Sequence, residues 1–167
     1  MSGTGFDEFY ASTYRRVVGQ LYAMIGDLGE AEDAVQEAYT RAWQRWTSLR
    51  DYTDPEAWVR TVAFRVAVSS WRKAVNRLTA HYRHGAPAEV PDLDPEHVTL
   101  VSALRKLPLD QRRALVLRHV VGLTVDDIAH ETSVAAGTVK SRLSRGRQAL
   151  AVEIGQSTAD REAANDG

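Results

Sequence analysis

The apolar rhythm between Ala31 and Trp46 constrains this chain more than any other feature. Ala31, Ala34, Val35, Ala38, Tyr39, Ala42, Trp43 and Trp46 recur at three- and four-residue spacings without a break. That period lays one apolar face along an α-helix and leaves no alternation for a strand. Phe6, Phe9, Tyr10, Thr13, Val17, Leu21 and Ile25 repeat the pattern before Gly26, which supplies a stop. Asp54-Pro55 reads as an N-cap acid with proline in the first turn. From there Trp58, Val59, Val62, Ala63, Val66, Ala67, Trp71, Ala74 and Leu78 continue a long helix, after a loop over 47–53. The aromatic stripes, Trp58 and Trp71 included, are expected to form the core of a small bundle.

All the aromatic residues (4 Trp, 6 Tyr and 3 Phe) lie between Phe6 and Tyr82. Pro87, Pro91 and Pro95 follow within an acidic stretch that has no hydrophobic period, which reads as a linker. The fold class is therefore all-α: two small helical domains, 4–78 and 96–155, joined by a flexible linker over 79–95 and followed by a polar tail over 156–167. Fully extended, those linker residues reach at most about 56–61 Å, more than one turn of DNA, about 34 Å.

In the second domain Leu100, Leu104 and Leu107 precede Pro108, and Leu115, Val116 and Val120 follow it. A short amphipathic segment, 124–131, a polar turn and a last helix, about 136–151, suggest a helix-turn-helix. With Val139 at 0° and about 100° per residue, Leu143, Gly146 and Leu150 fall within about 40° of it, forming a buried seam. Ser141, Ser144 and Gln148 face away at about 140–200°, flanked by Lys140 and Arg145. Short hydrogen-bonding side chains beside long cations suit base edges in a major groove, while the lower cations Arg142 and Arg147 would reach phosphates. A solvated face is the alternative. Residues 138–152 hold these four cations and no acid, whereas a solvated face normally mixes signs, so DNA contact is favoured.

These residues resemble a known family. The segment LPLDQRRALVLRHVVGLTVDDIAHETSVAAGTVKSRLSRGRQAL is similar to region 4 of the sigma-70 family, in its extracytoplasmic-function (ECF) group. EAEDAVQEAYTRAWQRW resembles region 2, and DPEAWVRTVAFRVAVSSWRK its following helix. The likeness covers about 4–155 in the family's order. It implies a bacterial RNA polymerase specificity subunit without catalysis or cofactor, whose partners are core RNA polymerase, promoter DNA and an anti-sigma factor. Docking on the basic clamp helices of polymerase would fall to Asp33, Gln36, Glu37 and Arg41. Residues 57–88 carry six cations and no acid. The resemblance assigns that helix and the loop at about 49–54 to the opened −10 element, with Arg60, Phe64, Arg65, Arg72 and Lys73 as contacts. The second domain would read the −35 duplex.

The chain departs from the family at four of these positions. Arg65 and Ser69 stand where Asn and Asp are frequent, which leaves the base preference at −10 open. Ser133 replaces a common turn glycine and Ala135 a frequent capping Ser or Pro, suggesting a turn weakened by about 1 kcal/mol at the cap.

Two other readings fit parts of the chain: a stand-alone helix-turn-helix regulator, and a sigma-like protein-interaction module. The first predicts tight, dimeric promoter binding without polymerase, and the second should have lost the basic crest. An enzyme fits least. There is no cysteine, and the histidines at 81, 84, 97, 119 and 130 lack metalloprotease spacing. No metal site, small-molecule substrate or membrane insertion is expected. The longest run free of Asp, Glu, Lys and Arg is Val17–Gly26, too short to span a bilayer. Its beginning lacks a signal-peptide pattern, so a cytoplasmic location is expected. The formal charge of −1 argues against nucleic acid only until its distribution is considered.

Overall fold

The first helix, α1 (Gly3–Ile25), stops where the chain turns left-handed at Gly26, φ 78°, a conformation that costs glycine nothing. The computed structural model describes residues 3–78 and 95–165; the linker expected over 79–95 lies almost wholly outside them. Asp27 accepts a hydrogen bond from the Glu30 N–H at 2.9 Å and opens α2 (Leu28–Gln44). Asp54 does the same for the Ala57 N–H at 3.0 Å and opens α4 (Pro55–Leu78). Part of the expected 47–53 loop is a short helix, α3 (Trp46–Leu49). Among the described residues there is no strand.

The chain divides into two units, 1–91 and 92–167. In the first, α1, α2 and α4 pack against one another. Val17, Leu21 and Met24 of α1, Ala31, Val35 and Ala38 of α2, and Val59 and Ala63 of α4 are buried. Alanines along α2 leave room for its neighbours to approach closely, and Leu21, Met24 and Leu49 fill the space between. Tyr39 closes one end, sharing a buried hydrogen bond with the Thr13 hydroxyl; burial above all pushes its pKa up to about 12.

The second unit holds α5 (Pro95–Arg105), α6 (Leu109–Val116), a π-helical turn (Leu117–Val121), α7 (Val125–Thr132) and α8 (Ala136–Asn165). Thr124 and Asp127 form a reciprocal capping box at the start of α7. Ile128, Val139, Leu143, Leu115 and Leu117 are buried together with Leu104 and Leu107 of the preceding segment.

Several expectations change here. The last helix does not end near 151: it runs to Asn165, so most of the expected polar tail is helical. Residues 152–165 contain no proline, and α8 is tied to α5 by Arg161 donating to Thr99 Oγ1 at 2.7 Å. A pair between Lys106 Nζ and Glu153 lies nearby at 3.3 Å. Trp71 is not core. It is 57% exposed, because full burial along α4 stops at Ala67. Trp43 likewise leaves the buried stripe, with Ala42 taking the inward position beside it. Val120 is exposed, since the π-helical turn rotates it off the α-helical face.

Candidate nucleic-acid interface

The helix-turn-helix owes its shape to its two caps and its seam. Val139 and Leu143 are buried, and Gly146 lies against α6. A Cβ at Gly146 would meet Leu115 Cγ and Cδ1 at 3.1 Å. The close approach this glycine permits is therefore to the domain's own core and not to DNA. Ser133 takes the left-handed conformation, φ 57° and ψ 41°, and the Val134 N–H reaches back to the Ala129 carbonyl at 3.1 Å. This is the Schellman ending that normally carries glycine. The turn before α8 has the geometry that a glycine would give, built with a strained serine.

On the opposite side of α8, Lys140, Ser141, Ser144, Arg145 and Gln148 are all exposed. The two lower cations are engaged within the domain. Arg142 Nη2 lies 3.5 Å from Asp110 Oδ2, with its side chain only 27% exposed. Arg147 Nε donates to His119 Nε2 at 3.4 Å. Both sit at the flanks of the crest. Sequence alone did not identify Asp110 and His119 as their partners, because Asp110 lies on α6 and His119 on the π-helical turn after it, both far away in the chain.

In the first unit the expected strand contacts separate into two groups. Arg60 is 2% exposed, and its Nη1 donates to Gln20 Oε1 at 3.3 Å. Phe64 is 9% exposed. At the 60, 63, 64, 67 spacing both belong to the face of α4 that packs inward. The surface position expected of a −10 contact is therefore not where Arg60 and Phe64 stand. Arg65, Arg72 and Lys73 are exposed. Tyr52, in the loop before α4, is 53% exposed. Tyr52 and Trp71 present exposed aromatic faces, whereas Phe64 is buried. Tyr52 was legible as an aromatic in a loop, where no core stripe claims it.

Arg65, Ser69 and Lys73 of α4 face Asp33, Glu37 and Arg41 of α2 across a groove of about 590 Å³. The residues expected to meet polymerase and those expected to meet DNA thus adjoin. Arg41 Nε bonds Glu37 Oε1 at 2.9 Å, one turn away. Glu30 stands at the same rim with its pKa raised, first by burial and then by Asp27 and Asp33. Gln36 points to the other flank of α2, towards Tyr10 and Trp43. An ion pair braces the start of α4: Arg16 donates to both Glu56 carboxylate oxygens, at 2.8 and 2.6 Å. The Arg16 hydrogen bond is the main reason that the Glu56 pKa is lowered.

Comparison with known proteins agrees with this layout. The family description Sigma-70 region 2 matches residues 9–77, and Sigma-70, region 4 matches 97–150. The ECF RNA polymerase sigma factor SigL of Mycobacterium tuberculosis is 30% identical, over 89% of this chain and 86% of SigL. The chain belongs to the sigma-70 family, in its ECF group. The ECF RNA polymerase sigma factor EcfG of Rhodopseudomonas palustris is 31% identical, over 77% of this sigma factor and 73% of EcfG. A solved structure of the sigma factor RpoE, in complex with the anti-sigma factor NepR from Bartonella quintana, superposes with a TM-score of 0.75. It is 26% identical and covers 90% of this chain and 96% of that one. Among the described residues no helix is long and apolar enough to cross a membrane, and no cluster of three or more His, Cys, Asp or Glu side chains is placed to hold a metal.

Proposed function

We propose that this ECF sigma factor uses its second unit to read the −35 duplex and its first unit to bind core polymerase and hold the opened −10 strand. The reading rests chiefly on α8, whose exposed crest carries cations and short polar side chains and no acid from 138 to 152. Lys140 and Arg145, with Ser141, Ser144 and Gln148, meet base edges. Arg142 and Arg147, fixed at the flanks, meet phosphates. In the first unit Asp33, Gln36, Glu37 and Arg41 dock on a basic polymerase surface. Arg65, Arg72 and Lys73 track the displaced strand, and Tyr52 and Trp71 stack on its bases.

The protein performs no catalysis itself, works in the cytoplasm, and is held inactive by an anti-sigma factor, as the NepR complex of the RpoE relative suggests. A stand-alone operator-binding regulator is disfavoured because a complete region 2 precedes the helix-turn-helix. Run-off transcription with purified core polymerase on genomic fragments, with and without the protein, tests the reading. Promoter-dependent transcripts are expected only in its presence. No transcript and no core binding would refute it.

A further inference from the structure

In the second unit, α5, the α6 segment and α8 enclose a groove of about 370 Å³. Its apolar lining includes Leu100 and Leu104 of α5, Val116 and Val120 from α6 and the π-helical turn, and Leu150 and Ile154 of α8. Ile154 belongs to it because α8 runs on past 151. Leu100, Val120 and Ile154 remain 37%, 55% and 43% exposed, and apolar side chains gathered in one groove yet left in water mark a binding surface. The π-helical turn that carries Val120 to the rim is a geometry frequently found at functional sites.

The polar lining is one pair, His119 and Arg147, and among the described residues no acid lines the groove. Arg147 Nε donates to His119 Nε2 at 3.4 Å, and Arg147 makes no ion pair among the described residues. With Nε taken, its two Nη groups form the open edge of the guanidinium, and two parallel N–H donors match the two oxygens of a carboxylate. Along α8 the lining runs from Arg147 through Leu150 and Ala151 to Ile154, about 10 Å at about 1.5 Å per residue. The groove is thus cationic at one end and apolar over the rest.

We propose that this groove binds an amphiphilic carboxylate, its head on Arg147 and its hydrocarbon chain along Leu104, Leu150 and Ile154. Small-molecule sites combine a mostly apolar lining, a few placed polar groups and a volume of roughly 300–1,000 Å³, and the groove meets each condition. A cationic head would face Arg147 with no acid to receive it, and a neutral one would leave the guanidinium unpaired. In the proposed function Arg147 also meets a DNA phosphate, so ligand and duplex compete for one guanidinium and the groove becomes an input that loosens −35 binding. That consequence rests on the reading of α8, whereas the site itself needs neither polymerase nor DNA.

Calorimetric titration of the full chain with hexanoate, octanoate and decanoate, each below its micelle concentration, tests the site. Every added pair of methylenes that enters the groove should tighten binding about fifteenfold. Octyltrimethylammonium should bind more weakly than octanoate. Arg147→Gln should weaken octanoate about tenfold and leave octanol unaffected. Ala151→Trp fills the groove from an exposed position and should abolish binding of both. In methyl NMR spectra decanoate should shift Leu104 and Ile154. No saturable binding, equal binding of the cationic amphiphile, undiminished affinity in both variants, or shifts confined to the first unit would each overturn the proposal. So would a dimer of the free chain that Ala151→Trp dissolves, since a second copy would then fill the groove. Decanoate bound in the groove with duplex affinity unchanged would instead remove Arg147 from the −35 reading.

Discussion

Replacing Ser133→Gly should make this protein more stable, although it removes a side chain and adds none. Ser133 is exposed, and its hydroxyl has no hydrogen-bond partner among the described residues, so the substitution forfeits no contact. What it removes is the cost of holding a Cβ at φ 57° and ψ 41°, about 1–2 kcal/mol for an L-residue. Against this stands the extra freedom that glycine gains in the unfolded chain, about 0.5–1 kcal/mol. At the midpoints of these ranges the difference leaves the second unit more stable by about 0.75 kcal/mol. For a unit of this size each kcal/mol moves the midpoint by about 4–8 °C, so a rise of about 3–6 °C is expected.

The distribution of aromatics makes the assay selective. Every tryptophan lies before residue 72, so tryptophan fluorescence reports the first unit alone, whereas far-UV circular dichroism follows the helices of both. In Ser133→Gly the dichroic transition of the second unit should rise while the fluorescence midpoint stays in place. Ser133→Ala keeps the Cβ and should not rise. A lowered or unmoved second transition in Ser133→Gly would show that serine is not strained there, and would refute the reasoning from φ.

Other substitutions probe the two units in turn. In the holoenzyme, Arg145→Ala should cost about 1–3 kcal/mol of discrimination at one −35 base pair. Arg147→Ala should weaken all sequences alike and reduce the salt slope by about 1; anisotropy titrations at several salt concentrations separate the two. Ile128→Ala empties a fully buried position of α7 and should remove about 2–5 kcal/mol, read as loss of the second dichroic transition. Glu56 has a lowered folded pKa, so its contribution is complete above its unfolded value, near 4.5, and is lost as pH falls through the folded one. Glu56→Gln should therefore flatten the acid limb of the fluorescence-detected stability profile; an unchanged limb would assign acid sensitivity to other carboxylates.

The helices were legible in the sequence because periodicity and caps agree. Asp27, Asp54 and Thr124 announce their helices through side chains that bond the following N–H groups, and the alanine stripe of α2 admits only one inward face. Burial along a helix was less legible, since a repeating stripe does not say where its neighbours end. Trp71 keeps the spacing of Ala63 and Ala67, yet it is more than half exposed among the described residues. Arg60 fails in the opposite direction: a charged residue read as exposed is in the core because Gln20 of α1 supplies an acceptor, a contact 40 residues away in sequence. The extension of α8 was missed because its polar residues show no amphipathic stripe. Its tie to α5 comes from single contacts such as Arg161 with Thr99.

The net charge of −1 is a consequence of this architecture and has a use in it. In the first unit Asp33 and Glu37 line the same groove as Arg65 and Lys73, and charges are felt over roughly 8 Å at physiological salt. In the free chain these acids lower the potential that a DNA phosphate meets at α4. On the proposed docking, a basic polymerase surface seated on α2 would neutralise them and leave the cations of α4 unopposed. Binding of polymerase and binding of the −10 strand would then be coupled through one groove, and the free protein is expected to bind DNA more weakly than the bound one. Coupling between two ligands is reciprocal, so a −10 single strand should also tighten the grip of this sigma factor on core polymerase.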